Sequence, residues 1–430
     1  MTEAATNACY RIFMKRQKPE KRVLSFAVLA CTLVNVGAMS ASAEESGQPL
    51  APANEQPASA TSSALPMPAM AGPLTANESP ARFDGAFGNV FVTGALTGFA
   101  QWQSNATPVD RATQVDLTNA QVFIQKTDGV LRFFAQGGAY SLPALGTPYV
   151  NSIKTTDDLW GPIPQAFIQL APNSNWSIMA GKLPSLAGLE NTFSFQNLNI
   201  ERGLLWNQTN SVNRGVQANY SAGSLTFALS WNDGFYSNQF TWLSGSATWK
   251  IDNANSFAVI WAANTRTITV STAATPLFQN NSRIYNVIYT YSSGPWTLSP
   301  YLQYTYVPTA PSIGVQRDAA TYGAAVLVNY TFDSAWRVGG LSLAGFSLPF
   351  RAEFITSTGN VANGAPNLMY GPGSMAWSIT VTPTYQYKRV FTRAEFSYVG
   401  ASHTTAGLAF GPTGSNTTQA RFLLESGFLF

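Results

Sequence analysis

The sequence predicts an all-β chain: a closed, antiparallel, up-and-down transmembrane β-barrel of about 16 strands. Three observations point to it. First, the final segment Arg421-Phe-Leu-Leu-Glu-Ser-Gly-Phe-Leu-Phe430 alternates with period two. Phe422, Leu424, Ser426, Phe428 and Phe430 form a mostly oily face, while Arg421, Leu423, Glu425, Gly427 and Leu429 form one that carries a base and an acid. A strand with hydrocarbon on one side and a wet interior on the other has that pattern. Second, aromatic residues make up 13% of the chain and charged residues only 10%, where a soluble domain carries about 25% charged. Third, the connections between strand-like segments alternate short and long, as tight turns at one rim and loops at the other require.

From the N-terminus, Arg11, Lys15, Arg16, Lys18, Lys21 and Arg22 precede a mostly apolar stretch at 23–39. Ala41-Ser-Ala43 then offers a small-x-small cleavage site, so residues 1–43 are read as an export signal. A retained membrane helix and a lipoprotein cut before Cys31 are the competing readings. The apolar stretch is short for a span, and Leu29 and the apolar residues beyond Cys31 fit a lipidation site poorly. Removing 1–43 takes six of the 24 basic and two of the 21 acidic residues. That leaves 18 against 19, a net charge of −1 in place of +3. The apparent basicity belongs to the leader and predicts no nucleic-acid partner. Cys9 and Cys31 also leave with it. The remaining chain has no disulfide and no thiolate metal site, and with His403 its one histidine, neither a metal nor a cofactor is expected.

Residues 44–80 are Ala-, Pro- and Ser-rich, as in Leu65-Pro-Met-Pro-Ala-Met-Ala-Gly-Pro73. With no apolar period they read as a flexible linker, ahead of a barrel domain at 81–430. Strand patterns fall at 90–104, 115–126, 130–141, 164–171, 175–183, 212–221, 224–232, 241–251, 255–265, 282–292, 295–307, 319–331, 345–357, 375–388, 391–400 and 419–430. Leu225, Phe227, Leu229 and Trp231 oppose Thr226, Ala228, Ser230 and Asn232; Trp377, Ile379 and Val381 oppose Ser378, Thr380 and Thr382. Lengths near ten residues suit tilted membrane strands. No run is apolar enough for a helical span after residue 43. Asp128-Gly129, Asn173-Ser174, Ala222-Gly223, Asn253-Ala254, Ser293-Gly294 and Arg389-Val390 mark tight turns. With 16 strands both termini fall on the tight-turn side; the exception is 332–344, long where it should be short. Pro300, Pro349 and Pro383 lie inside strand patterns, where local bulges are expected because proline removes a ladder bond.

Charged residues at inward parity are the candidate pore lining. Phe350-Arg-Ala-Glu-Phe354 recurs as Thr392-Arg-Ala-Glu-Phe396, which places Arg351, Glu353, Arg393 and Glu395 on the polar face. Arg421, Glu425, Arg132 and Lys250 share that parity. An Arg or Lys at the lipid midplane costs about 2–4 kcal/mol, so the interior is the cheaper place. Such a lining either sorts solutes by charge or merely neutralises itself. His403 sits in Ser402-His-Thr-Thr405 with no carboxylate near it in sequence, and reads as a solvated loop residue rather than a catalytic base.

Ala180-Gly-Lys-Leu-Pro184, an Asn-rich stretch through Glu190 and Asn191 to Ile200-Glu-Arg-Gly-Leu-Leu-Trp206, then Asn213-Arg-Gly-Val-Gln-Ala-Asn-Tyr220 and Trp231-Asn-Asp-Gly234 follow in succession. This resembles the OmpL-like β-barrel porin family, the porin-2 group, most clearly over about 175–240. Gly181-Lys182 departs from it, since an Arg is associated with that place. The resemblance implies an outer-membrane porin, with lipid around it and small hydrophilic solutes passing through it as a monomer or homotrimer, but it supplies no substrate. The terminal Phe430 resembles the end of bacterial outer-membrane barrels, which the assembly machinery reads. In 16-stranded general porins the third loop folds inward. By analogy the connection 184–211 would narrow the channel with Glu190, Glu201 and Arg202. The alternatives are an uptake channel for one nutrient, with Trp206, Tyr236 or Trp242 stacking a sugar, and a closed barrel serving as adhesin or enzyme.

Overall fold

The computed structural model describes residues 65–85, 88–272 and 275–430. The export signal read at 1–43 and linker residues 44–64 lie outside the described residues. A short strand β1 (Ala81–Gly85) leads into the wall. The first half of the wall is β2 (Gly88–Gln103), β3 (Thr113–Lys126), β4 (Leu131–Tyr140), β5 (Gln165–Leu170), β6 (Trp176–Pro184), β7 (Val212–Ala222), β8 (Leu225–Asn232) and β9 (Trp242–Lys250). It continues through β10 (Asn255–Asn264), β11 (Arg283–Ser293), β12 (Trp296–Val307) and β13 (Ala319–Thr331). A small hairpin, β14 (Arg337–Val338) and β15 (Leu341–Ser342), fills the long connection at the tight-turn rim. The wall resumes with β16 (Phe346–Ser357), a strand in two pieces, β17 (Met375–Val381) and β18 (Thr384–Tyr387), then β19 (Val390–Ser402) and β20 (Thr418–Leu429).

Neighbours in sequence pair antiparallel throughout, giving a closed barrel of 16 wall strands. Closure runs from Leu429 opposite Ala95 to Arg421 opposite Gln103. Phe430 adds a reciprocal backbone pair with Gly94, at 2.8 and 3.0 Å. Closing the sheet removes its free edges, which is how the wall satisfies its backbone inside lipid.

Burial follows the alternation. In β20, Phe422, Leu424 and Phe428 are exposed, whereas Arg421, Leu423, Glu425 and Leu429 are buried. The outward residues form two aromatic girdles. Trp176 on Tyr220 (4.4 Å), Trp296 on Tyr330 (4.7 Å) and Phe346 on Tyr385 (4.6 Å) mark the tight-turn end. Tyr285, Tyr304 and Tyr322, with Trp377 beside Tyr398, lie toward the other. Between them the exposed Ile168, Leu229, Leu302 and Ile379 make an apolar belt.

The two-residue hairpins place Gly223 (φ 60°) and Gly294 (φ 56°) first in the turn, the positive φ that a type II′ turn demands there. The prolines behave otherwise than expected. Register is unchanged across all three, so none sits in a bulge. Beside Pro300 the β11–β12 pairing lapses between Ile288–Tyr301 and Tyr291–Leu298, then resumes in step. Pro349 and Pro383 share one gap between β16 and the β17–β18 strand, bridged by the Thr382 N–H donating to the Pro349 carbonyl at 2.9 Å. A proline lacks one donor, and opening one rung is enough to accommodate it. The register shift in the wall lies elsewhere: Thr97 pairs with Asn119 but Gly98 with Leu117, leaving Thr118 as the extra residue.

Candidate functional site

The barrel interior is filled largely by its own chain. The connection 185–211 folds among the inward side chains, with Phe193, Phe195, Ile200, Leu205, Glu201 and Arg202 all fully buried. Leu198, Leu204 and Leu205 pack on Ile288, Tyr301, Leu327, Ile355 and Val399 of the wall. Phe193 and Phe195 pack on Phe123, Phe134, Phe167 and Phe391.

The charged row on β16, β19 and β20 holds this insert by its backbone. Glu395 accepts the N–H groups of Ile200 (2.5 Å) and Glu201 (3.0 Å), and the Thr382 hydroxyl at 2.8 Å. Glu353 accepts those of Leu204 (3.0 Å) and Leu205 (3.3 Å). Gly203 must be glycine at the same contact, since a Cβ there would lie 2.1 Å from the Glu353 carboxylate. Arg351 donates to Glu190 at 2.7 Å and to the Glu201 carbonyl at 2.8 Å. Arg393 pairs with Glu425 and donates to the Asn197 carbonyl at 3.0 Å. Glu425 also accepts the Ser194 hydroxyl at 2.8 Å and that of the bulged Thr118 at 3.3 Å. Arg421 reaches Glu201 at 2.5 Å and the carbonyls of Ala144 (2.9 Å) and Thr147 (2.7 Å), so it clasps two connections at once. Apart from Arg202, each of these buried charges meets an opposite charge or several backbone partners, which offsets the cost of taking it out of water.

Nine of the eleven charged residues singled out from sequence therefore meet in one cluster: Arg351, Glu353, Arg393, Glu395, Arg421, Glu425, Glu190, Glu201 and Arg202. The other two do not join it. Arg132 and Lys250 stand at the tight-turn rim, where Lys250 is exposed and Arg132 donates to the Gly129 carbonyl at 3.0 Å. Arg202 differs from its neighbours. Its backbone bridges to the connection 141–164, through the Leu145 N–H at 2.9 Å and the Pro143 carbonyl at 3.1 Å. Its guanidinium lies 4.7 Å from the Trp206 ring and has no hydrogen-bond partner among the described residues. Trp242 is buried against Phe235, and Tyr236 is covered by Arg214 at 3.9 Å, so the Trp242 ring is closed to a solute and the Tyr236 ring already carries a cation. His403 is exposed at the loop rim.

Two contributors have little signature in the sequence. Asp116 anchors the connection 141–164, accepting the Tyr149 hydroxyl at 2.7 Å and the Ser152 N–H at 2.8 Å. Residues 65–80, from the stretch read as a linker, also reach the interior, where Leu74 is buried beside Phe391 and Leu429.

The amino-acid sequence matches the model of the family described as "Putative beta-barrel porin-2, OmpL-like" over residues 89–430. The chain belongs to this family. It is an outer-membrane porin; in barrels of that membrane the short turns face the periplasm. No curated protein sequence matches the porin. Among solved structures it is similar to an anion-selective porin from Comamonas acidovorans, at 10% identity and TM-score 0.53, covering 79% of this chain and 99% of that one. It is also similar to OmpF of Salmonella typhi solved with daunomycin, at 13% identity and TM-score 0.51, covering 80% and 98%. OmpT of Vibrio cholerae gives 10% identity and TM-score 0.51, covering 81% and 100%. At such identities the likeness is one of fold.

Proposed function

We propose that the porin passes small hydrophilic solutes by diffusion along a narrow path beside the periplasmic halves of β7–β10. The observation that supports this reading is an asymmetry among inward positions. Asn219, Thr226, Ser246, Thr248 and Ser256 keep partial exposure, whereas the inward residues of β16 and β19, and those of β3 from Asn119 to Gln125, are buried. The exposed set is small and polar, which suits a wet wall. On this reading 185–211 is the constriction, with Glu190, Glu201 and Arg202 in it and the β16, β19 and β20 charges bracing it. No bond is made or broken in transit. The amount of interior that is filled favours small solutes over a wide sieve, and leaves an uptake channel for one nutrient as the second reading. Phe430 serves as the terminal signal for assembly.

Planar-bilayer recording of the refolded porin with a graded solute series tests this. Ser246→Trp, which puts a large ring on the proposed path, should cut conductance without changing heat-modifiable gel migration. Absence of channels from folded protein, or wild-type conductance in Ser246→Trp, would overturn the path.

A further inference from the structure

We infer that residues 65–80 are a built-in second constriction, which sets the effective bore of the porin from the periplasmic side; the inference rests on the diffusion reading above. The segment is seated on defined partners. The Ala71 N–H donates to the Gln196 carbonyl at 2.8 Å, and the Gln196 side chain returns a bond to the Ala69 carbonyl at 2.9 Å, tying the segment to the inward connection. Gln125 of β3 donates to the Met67 carbonyl at 2.5 Å. Across the mouth, Gln386 of β18 both accepts the Thr75 N–H (2.8 Å) and donates to the Thr75 carbonyl (3.0 Å). The chain therefore runs from β3 to β18 beneath 193–197, across the sector closed by β19, β20 and β2.

Side chains reinforce the seat. Leu74 is 1% exposed, in a cluster with Phe123, Phe193, Phe195, Phe391 and Leu429, and Met67 and Met70 pack against the same group. At Gly72 the contact is so close that a Cβ would lie 2.3 Å from the Asn197 carbonyl oxygen. The composition suits the task. Pro66, Pro68 and Pro73 carry no N–H, so the segment cannot extend a sheet and instead offers carbonyls to glutamine side chains. Fixed proline φ also lowers the entropy lost on ordering. Side chains seated this deep exclude water from their sector, which confines solute to the β7–β10 side.

The test is bilayer recording of the full chain against a variant lacking 65–80 and against Gly72→Val, which dislodges the segment without shortening the chain. A third variant, Thr75→Cys with Gln386→Cys, is recorded oxidised and reduced to lock and release it. Both unseating variants should raise single-channel conductance severalfold and admit larger solutes, while the oxidised double-cysteine porin stays at the wild-type level. Folded deletion and Gly72→Val barrels that conduct as wild type does would overturn the inference and leave the diffusion reading intact. Folded barrels with no channels in any variant would overturn both.

Discussion

Removing Arg421 should release the inward connection, and the structure says by how much. Arg421 is buried and bonds Glu201, which is itself fully buried, at 2.5 Å, and the carbonyls of Ala144 and Thr147. Arg421→Met fills much of the same volume but leaves Glu201 without its counter-charge. Breaking a buried pair from one side costs about 3–5 kcal/mol. The Ser397 hydroxyl stays 3.2 Å from Glu201, which favours the lower end. At about 1.4 kcal/mol per tenfold, the ratio of seated to unseated connection falls roughly a hundredfold or more. Trypsin reads that ratio directly, because Arg202 is the one cleavable residue in 185–211 and is fully buried when the connection is seated. Cleavage after Arg202 in detergent should accelerate by a comparable factor. Removing both partners, as Arg421→Met with Glu201→Met, should recover most of the protection, since an apolar pair in place of a buried ion pair is often neutral. Protection of Arg421→Met equal to wild type, or a double variant cleaved as fast as the single, would refute the reasoning.

Glu190→Gln should move selectivity toward anions, because Arg351 loses the charge it meets at 2.7 Å; Arg351→Gln should move it the other way, both read as reversal potential in a salt gradient. Deleting Phe430 should lower the amount of folded barrel in outer-membrane fractions rather than the conductance of the barrels that form. It removes the backbone pair with Gly94 and a ring packed at 5.8 Å on Phe428, and wild-type levels of folded barrel would count against a signal there.

The wall was legible because lipid imposes period two on every strand. The pattern Leu225, Phe227, Leu229, Trp231 predicts outward residues, and all four are exposed. The Arg/Glu repeats were legible for the same reason: a charge excluded from lipid has one other side to face. What those charges bond was not legible, because Glu353 and Glu395 meet backbone N–H groups that carry no residue identity. The filled interior did leave a trace. Phe123, Phe134, Phe167 and Phe391 sit at inward parity and are buried, and large rings facing inward imply something apolar for them to pack on. The seat of 65–80 left less, because an extended Pro-rich segment needs no apolar period to dock.

The same pressures explain why the buried charges of this porin gather where the inserted connection meets the wall. Arginine cannot face hydrocarbon cheaply, and inside the barrel it needs acceptors. The nearest are the carboxylates beside it and the carbonyls of whatever chain enters, so a charged row on adjacent strands fastens an inserted connection to itself. The cluster of nine holds four arginines, Arg202, Arg351, Arg393 and Arg421, and five glutamates, Glu190, Glu201, Glu353, Glu395 and Glu425, for a formal net charge of −1. Most of that field is spent in close pairs at 2.5–3.2 Å, which leaves little to act on a passing ion. Arg202, stacked on Trp206 without a hydrogen-bond partner among the described residues, is the exception. The expected wild-type porin is therefore weakly selective, with a small excess of negative charge that one substitution cancels. That is why Glu190→Gln is informative: it takes the formal charge of the cluster from −1 to zero and leaves Arg351 with Glu353 as its one remaining counter-charge, so both changes push reversal potential in the same direction.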